Sequence, residues 1–338
     1  MFWIAVAVFF LVAGIVVYCI IRFRARSEDD RPVQIHGSPR LEIGWTIVPA
    51  ILLIGVGIAS VSGVFHLARV PKGAPITVQA ASATTPATIT GDVMRVDVIA
   101  HRWWFEFDYP GLGTATDLIT KQNDAIVTAG ELHLPIHKNV YLTITSDEPL
   151  GSPENKSHVG GGVMHNFWIP KLAGKVYAVP GRDSHLILNA DYPGTFLGQC
   201  TEFCGISHAN MRMRAVAQSD TDFAAWVMNQ NTASHPLASG DQFTNPQAYA
   251  GFQIFTGAGN CSGCHTVDGT QAQGRVGPNL THLQARGVFA GAIFALNDAN
   301  LRTWLRNPQK AKPGANMVIP KLTEDQITSL IAYLDTLK

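Results

Sequence analysis

The sequence predicts a multidomain membrane protein: an N-terminal two-helix transmembrane hairpin, a β-sandwich or barrel, and a small all-α domain at the C-terminus. Three observations carry this prediction. Two long apolar runs lie before residue 68, alternating segments rich in Val, Ile, Thr and aromatics fill residues 93–217, and helical periodicity with capping signals begins at Asn245. The expected division is 1–68 for the hairpin, 69–92 for a connection, 93–218 for the β domain, 219–244 for a short helix and linker, and 245–338 for the helical domain.

No charge occurs from Phe2 to Ile21, and about 20 apolar residues let a helix cross the hydrocarbon core. A second run extends from Ile43 to Phe65, interrupted by small or weakly polar residues and by Pro49. A signal peptide is the alternative for the first run, but the basic start and the small-residue cleavage site are missing. Tyr18 before Cys19 argues against lipid attachment. Arg22, Arg24, Arg26, Arg31 and Arg40 lie between the runs, and basic residues in a short loop stay on the cytoplasmic side. Both chain ends then face outward. No further apolar span follows Ala68, so the rest is expected on the extracytoplasmic, periplasmic side of a cell membrane.

Alternation in Val93–Val98 and Val140–Ile144, with Gly and Pro between segments, indicates short strands. The Ala-, Thr- and Pro-rich stretch from Ala74 to Thr90 reads as an irregular connection. A short helix is expected from Ser219 to Gln230 and a linker from Asn231 to Asp241. Asn245 followed by Pro246 fits a helix start. Thr323 and Gln326 fit a capping box, with Ile327, Leu330, Ile331 and Leu334 following at helical spacing.

Lys plus Arg equals Asp plus Glu, 25 each, which gives no basic footprint for nucleic acid. Of five cysteines, Cys19 sits in an apolar run and the others form two close pairs. Two disulfides are the plain alternative for such pairs. Cys200, Cys204, His208 and Met211 stand in the order C-x3-C-x3-H-x2-M, and soft sulfur with imidazole is a ligand mixture that copper prefers. Cys261-Ser262-Gly263-Cys264-His265 is the c-type haem attachment sequence C-x-x-C-H. A zinc site or a redox dithiol is the other reading of this pair, but no second Cys pair lies nearby. Methionine as sixth ligand raises a haem's potential, and Met317 is the only methionine after the motif. His282 is the fallback, otherwise a surface or loop histidine.

The segment Gly277-Pro278-Asn279-Leu280 and the terminal helices resemble a small cytochrome c. The loop around Cys200 resembles the binuclear copper (CuA) loop of subunit II of cytochrome c oxidases. So do the hairpin, Trp45–Pro49, His101–Phe107, Val163–Phe167 and Val179–Arg182; the match spans about Phe2 to Ala217. The resemblance implies a cupredoxin-like barrel in which Cys200 and Cys204 bridge two coppers. His165 and His208 would bind one each, Met211 would bind one weakly, and Glu202 would give its backbone carbonyl. It also implies that the Glu202 side chain reaches a Mg2+ shared with subunit I, and that Trp103 is an exposed aromatic where electrons enter. Glu42 would mark the mouth of a proton-uptake path; a carboxylate there also suits the helix dipole alone. Core packing accounts for Met213, and His101, His133, His137, His158 and His185 read as structural or surface residues.

Two features depart from the family. Mitochondrial-type relatives have an acidic docking residue where this chain has Gly162, and a tethered donor domain at about millimolar effective concentration lessens the need for docking charge. Relatives also carry residues before the first helix, so the N-terminus is expected to be processed or incomplete. The resemblance thus implies subunit II of a caa-type haem-copper oxidase, partnered by subunit I and subunit III. It would feed electrons from an external donor to subunit I, where oxygen is reduced with proton translocation. The rivals are the small subunit of a copper-containing nitric oxide reductase, a nitrous oxide reductase copper domain, and a tethered carrier with no enzyme partner.

Overall fold

The computed structural model describes residues 2–25, 27, 36–67, 69–79, 85–113, 125–146, 162–232 and 244–338. Arg26, Arg31, His158 and most of the expected linker after Thr232 lie outside the described residues. The chain divides into two compact units, Met1–Gly63 and Val64–Lys338.

The first unit contains α1 (Phe2–Arg22) and most of α2 (Pro39–Leu67), with Pro49 inside the second helix. Ile4, Val8 and Val12 of α1 share an apolar groove with Pro49, Leu52 and Val56 of α2. The rest of their large apolar surface is uncovered, including Trp3, Phe9, Phe10, Trp45 and Leu53. Helices satisfy their own backbone hydrogen bonds, so such surface is stable in lipid and unstable in water. Glu42 occupies the first turn of α2, and its carbonyl accepts from Thr46 Oγ1 at 2.8 Å.

The second unit opens with β1 (Thr77–Gln79), β2 (Thr88–Thr90), β3 (Val93–His101), β4 (Trp104–Pro110), β5 (Ala125–Ala129), β6 (Glu131–Pro135) and β7 (Asn139–Ser146). It continues through β8 (His165–Phe167), β9 (Val176–Ala178), β10 (Ser184–Leu188), β11 (Gly194–Gln199), β12 (Arg212–Gln218) and α3 (Asp220–Gln230). The two larger sheets have the orders β10-β7-β3-β4-β5 and β11-β12-β6. Each sheet contains one parallel pair, β3 with β7 and β6 with β12. Their apolar faces meet in a single core that includes Val96, Phe105, Phe107, Leu142, Phe196 and Met213. Met213 is therefore packing, as expected. Ser219 caps α3 by accepting from Asp222 N, and Phe223 and Trp226 of that helix join the same core.

The C-terminal region has α4 (Pro246–Thr256), β13 (Val288–Phe289), β14 (Phe294–Ala295), α5 (Asp298–Arg306), α6 (Pro308–Ala311) and α7 (Glu324–Leu334). Asn245 and Thr323 cap α4 and α7, the latter with the complete capping box. Its separate core includes Phe255, Leu301, Leu305, Leu330 and Tyr333. The expectation of an all-α domain omits the β13–β14 hairpin. That hairpin is two residues per strand, too short to leave a periodic trace.

Candidate metal centres and the contact between them

The loop from Cys200 to Met211 joins β11 to β12, which end in register at Gln199 opposite Arg212. Cys200 N donates to Met211 O at 2.9 Å, closing the loop at its base. The two sulfurs stand 3.8 Å apart as free thiols, so the disulfide alternative is not realised. Cys200 Sγ lies 3.8 Å from His165 Nδ1, on β8, and Cys204 Sγ lies 3.5 Å from His208 Nδ1. Each sulfur thus has its own imidazole. The Glu202 carbonyl approaches Cys200 Sγ at 3.3 Å, and fully buried Met211 places Sδ 3.9 Å from Cys204 Sγ.

His165, Cys200 and Cys204 present their ligand atoms within 4.8 Å of one another. The hydrogen bond from Cys204 is the largest influence drawing the Cys200 thiol down to about 3; burial opposes it, and His165 and backbone donors assist. Cys204 is pushed up by that same bond and by burial. The shared hydrogen bond thus favours the thiolate at Cys200 and the thiol at Cys204. Two sulfurs, each flanked by one imidazole, form a donor set that suits a thiophilic metal.

The second centre is a cavity of about 600 Å³ lined by Cys261, Cys264, His265, Met317, Trp304 and Leu330, a volume within the range of cofactor sites. A 3-10 turn over Cys261–Gly263 presents both cysteines. His265 Nδ1 donates to Pro278 O at 2.8 Å, which leaves Nε2 free as a ligand atom. Burial pushes the His265 pKa down, keeping the imidazole neutral. Met317 lies on the same cavity, and its Sδ accepts from Trp304 Nε1 at 3.1 Å. Arg286 also lines it, with a buried Nε that has no hydrogen-bond partner among the described residues, a spare donor suited to a carboxylate-bearing ligand. A haem fits this donor set and this space.

His282 lies in a turn, a loop position as expected. It is buried, and its Nε2 donates to Thr232 O at 3.0 Å. It does not line the cavity, so the fallback ligand falls away. His101 stacks on Trp104 and lies 3.6 Å from Glu106, while His133 stacks on Trp226, and both are buried. His185 stacks on Tyr141, and His137 takes a positive φ in the turn between β6 and β7.

Trp103 is not exposed. It retains 7% exposure, packed in the core of the copper domain against the Cys204–Gly205 turn. Trp103 Nε1 donates to Cys204 O at 3.0 Å, while its own carbonyl accepts from Lys312 Nζ at 2.6 Å. Lys312 Nζ also reaches Ala290 O at 2.9 Å, and burial brings its pKa down to about 7. Arg212 N, one residue beyond Met211, donates to Gly291 O at 2.9 Å. Gly287 N donates to Glu131 Oε1 at 2.9 Å, and Glu131 also pairs with Arg214. Gly162 lines the cavity as well. Sequence reasoning missed Lys312, Glu131 and Arg214, which carry no motif and meet partners more than 80 positions away.

Fold and sites define a class: membrane-anchored proteins that join a cupredoxin-like barrel to a cytochrome c domain. Residues 1–62 match the family described as Cytochrome C oxidase subunit II, transmembrane domain, and residues 94–218 match its periplasmic domain. Residues 248–338 match Cytochrome c. The chain is 31% identical over 335 residues to Cytochrome c oxidase subunit 2 of Alkalihalophilus pseudofirmus, covering 98% of this chain and 81% of the relative. It is 34% identical over 328 residues to Cytochrome c oxidase subunit 2 of Bacillus sp. strain PS3, with 94% and 80% covered. The chain belongs to the cytochrome c oxidase subunit 2 family. It is an electron-input subunit of a haem-copper oxidase, an oxidoreductase, and its two outer domains imply CuA and haem as cofactors.

Proposed function

We propose that this subunit accepts electrons from an external donor at a covalent haem c, passes them through a binuclear CuA centre, and delivers them to subunit I, where oxygen becomes water with proton translocation. When bound, the two groups supply one-electron carriers whose ligands change little between oxidation states. In this reading Cys261, Cys264, His265 and Met317, which line one cavity, are the residues that would hold the haem. Cys200, Cys204, His165, His208, Met211 and the Glu202 carbonyl are the donors that would hold the coppers. The observation that carries the reading is that Trp103 stands between the two centres, on the cavity wall and hydrogen-bonded to Cys204. Trp103 is thus the entrance to the copper pair, and the donor it receives from is the attached domain.

The Glu202 side chain, half-buried in the copper loop, is assigned to a Mg2+ shared with subunit I. Glu42 is assigned to a proton-uptake path, subunit III to the same complex, and the hairpin to the cell membrane. The functional division of the chain follows 1–68, 69–92, 93–218, 219–244 and 245–338. Metal analysis with electron paramagnetic resonance tests the core of this reading. One c-type haem and two coppers sharing one unpaired electron are expected, and zero or one copper per chain overturns it.

A further inference from the structure

Lys312 is 4% exposed, and its Nζ has two backbone carbonyls as partners, Trp103 O and Ala290 O, with no carboxylate among the described residues. Burying an amine against neutral acceptors carries a desolvation cost that an apolar side chain would avoid. Packing alone therefore does not account for a lysine here. Its location does. The segment from Lys312 to Met317 is fastened at both ends to one turn of the copper domain: Lys312 to Trp103 O, and Asn316 Nδ2 to Arg102 O at 3.3 Å. Met317 follows directly, on the wall of the cavity that also holds His265.

From that turn the connection runs on into the copper loop. The Trp103 indole reaches Cys204 O, and Arg212 N reaches Gly291 O beside Lys312. Gly291 has φ +75°, and a Cβ there would come within 2.6 Å of both Lys312 Nζ and Trp103 O. The contact thus leaves no room for a side chain to separate the lysine from the carbonyl.

We propose that Lys312 is a positioning residue for electron transfer between the two centres, its side-chain nitrogen pinning the cavity over the tryptophan that leads to Cys204. The proposal rests on the assignment of haem and copper given above. In each transfer one electron leaves the reduced haem and enters the oxidised copper pair, and no bond forms or breaks. The lysine takes no part in the redox change. It fixes the separation and orientation across which the electron moves.

The test uses the whole oxidase carrying Lys312→Met, which keeps the length of the side chain and removes its donor. Metal content, both midpoint potentials and the rate of haem reduction by an external reductant are expected to stay unchanged. The haem-to-copper rate measured after flash reduction should fall severalfold, the haem–copper distance distribution from pulsed electron paramagnetic resonance should broaden, and Lys312→Arg should recover part of the rate. An unchanged rate and distance distribution with both centres intact overturns the proposal. If Lys312→Met does not assemble, Asn316→Ala at the exposed end of the segment is read in the same way, and an unchanged rate and distance again overturn it. Wild-type protein lacking the haem or the copper pair would overturn the functional reading itself, and metal analysis reveals that before any variant is made.

Discussion

At the level of single residues, chemistry that depends on neighbours in sequence was legible and chemistry that depends on distant neighbours was not. The cysteine pairs, with their histidine and methionine offsets, pointed to the two ligand sets, and the structure brings those residues together around one sulfur cluster and one cavity. The hydrogen bond from Trp304 to Met317 had no such signal, although the two are 13 residues apart. An N–H donated to a thioether withdraws electron density from the sulfur, which favours the reduced state of an iron bound to it. Met317→Ala should therefore lower the haem potential on the order of 0.1 V, within the roughly 0.8 V that axial ligation spans. Trp304→Phe should shift it in the same direction by less. A spectroelectrochemical titration reads both, and an unchanged potential in Met317→Ala removes Met317 from the axial position.

Among elements, the helix starts at Ser219, Asn245 and Thr323 were readable because a cap is a local transaction between a side chain and backbone three residues on. Crossings between helices are set by residues far apart in the chain. Gly251 of α4 faces the Ser329 carbonyl of α7, and a Cβ at 251 would run into that carbonyl and into Tyr333. Two opposed effects decide the outcome of Gly251→Ala. Alanine gains about 1 kcal/mol of helix propensity over glycine, while forcing atoms into a closed contact typically costs about 1–3 kcal/mol. The obstruction is main chain on an adjacent helix, which cannot rotate away, so the packing cost prevails. Gly251→Ala should lower the thermal midpoint of the C-terminal domain, followed by circular dichroism or haem absorbance, whereas an exposed helix glycine replaced in the same way would raise it.

Over the whole molecule, the docking of the cytochrome domain on the copper domain is what the sequence concealed, since Glu131 meets Gly287 and Trp103 meets Lys312 across 156 and 209 positions. Composition also masks it: a formal net charge of zero says nothing about one buried carboxylate at the seam. Burial by itself would raise the pKa of Glu131, but the hydrogen bond from His133 and the charge of Arg214 overcome it and hold the carboxyl below its ordinary range. The sign of the linkage follows. A carboxylate with a depressed folded pKa contributes stability that is fully present above its unfolded value, near 4.5, and is lost as pH falls through the lower folded value. Arg214, His133 and Gly287 N all face the ionised form, so protonation removes the charge that pairs with Arg214 and occupies one of the two acceptor oxygens. Glu131→Gln should cost roughly 3 kcal/mol at neutral pH, the scale for removing one partner of a buried pair. Below about pH 4.5 the difference should shrink, because the wild type loses the same interactions by protonation. Denaturant titrations of both proteins between pH 3 and 7 measure this directly, and a constant difference across that range would show that the Glu131 charge does not hold the seam.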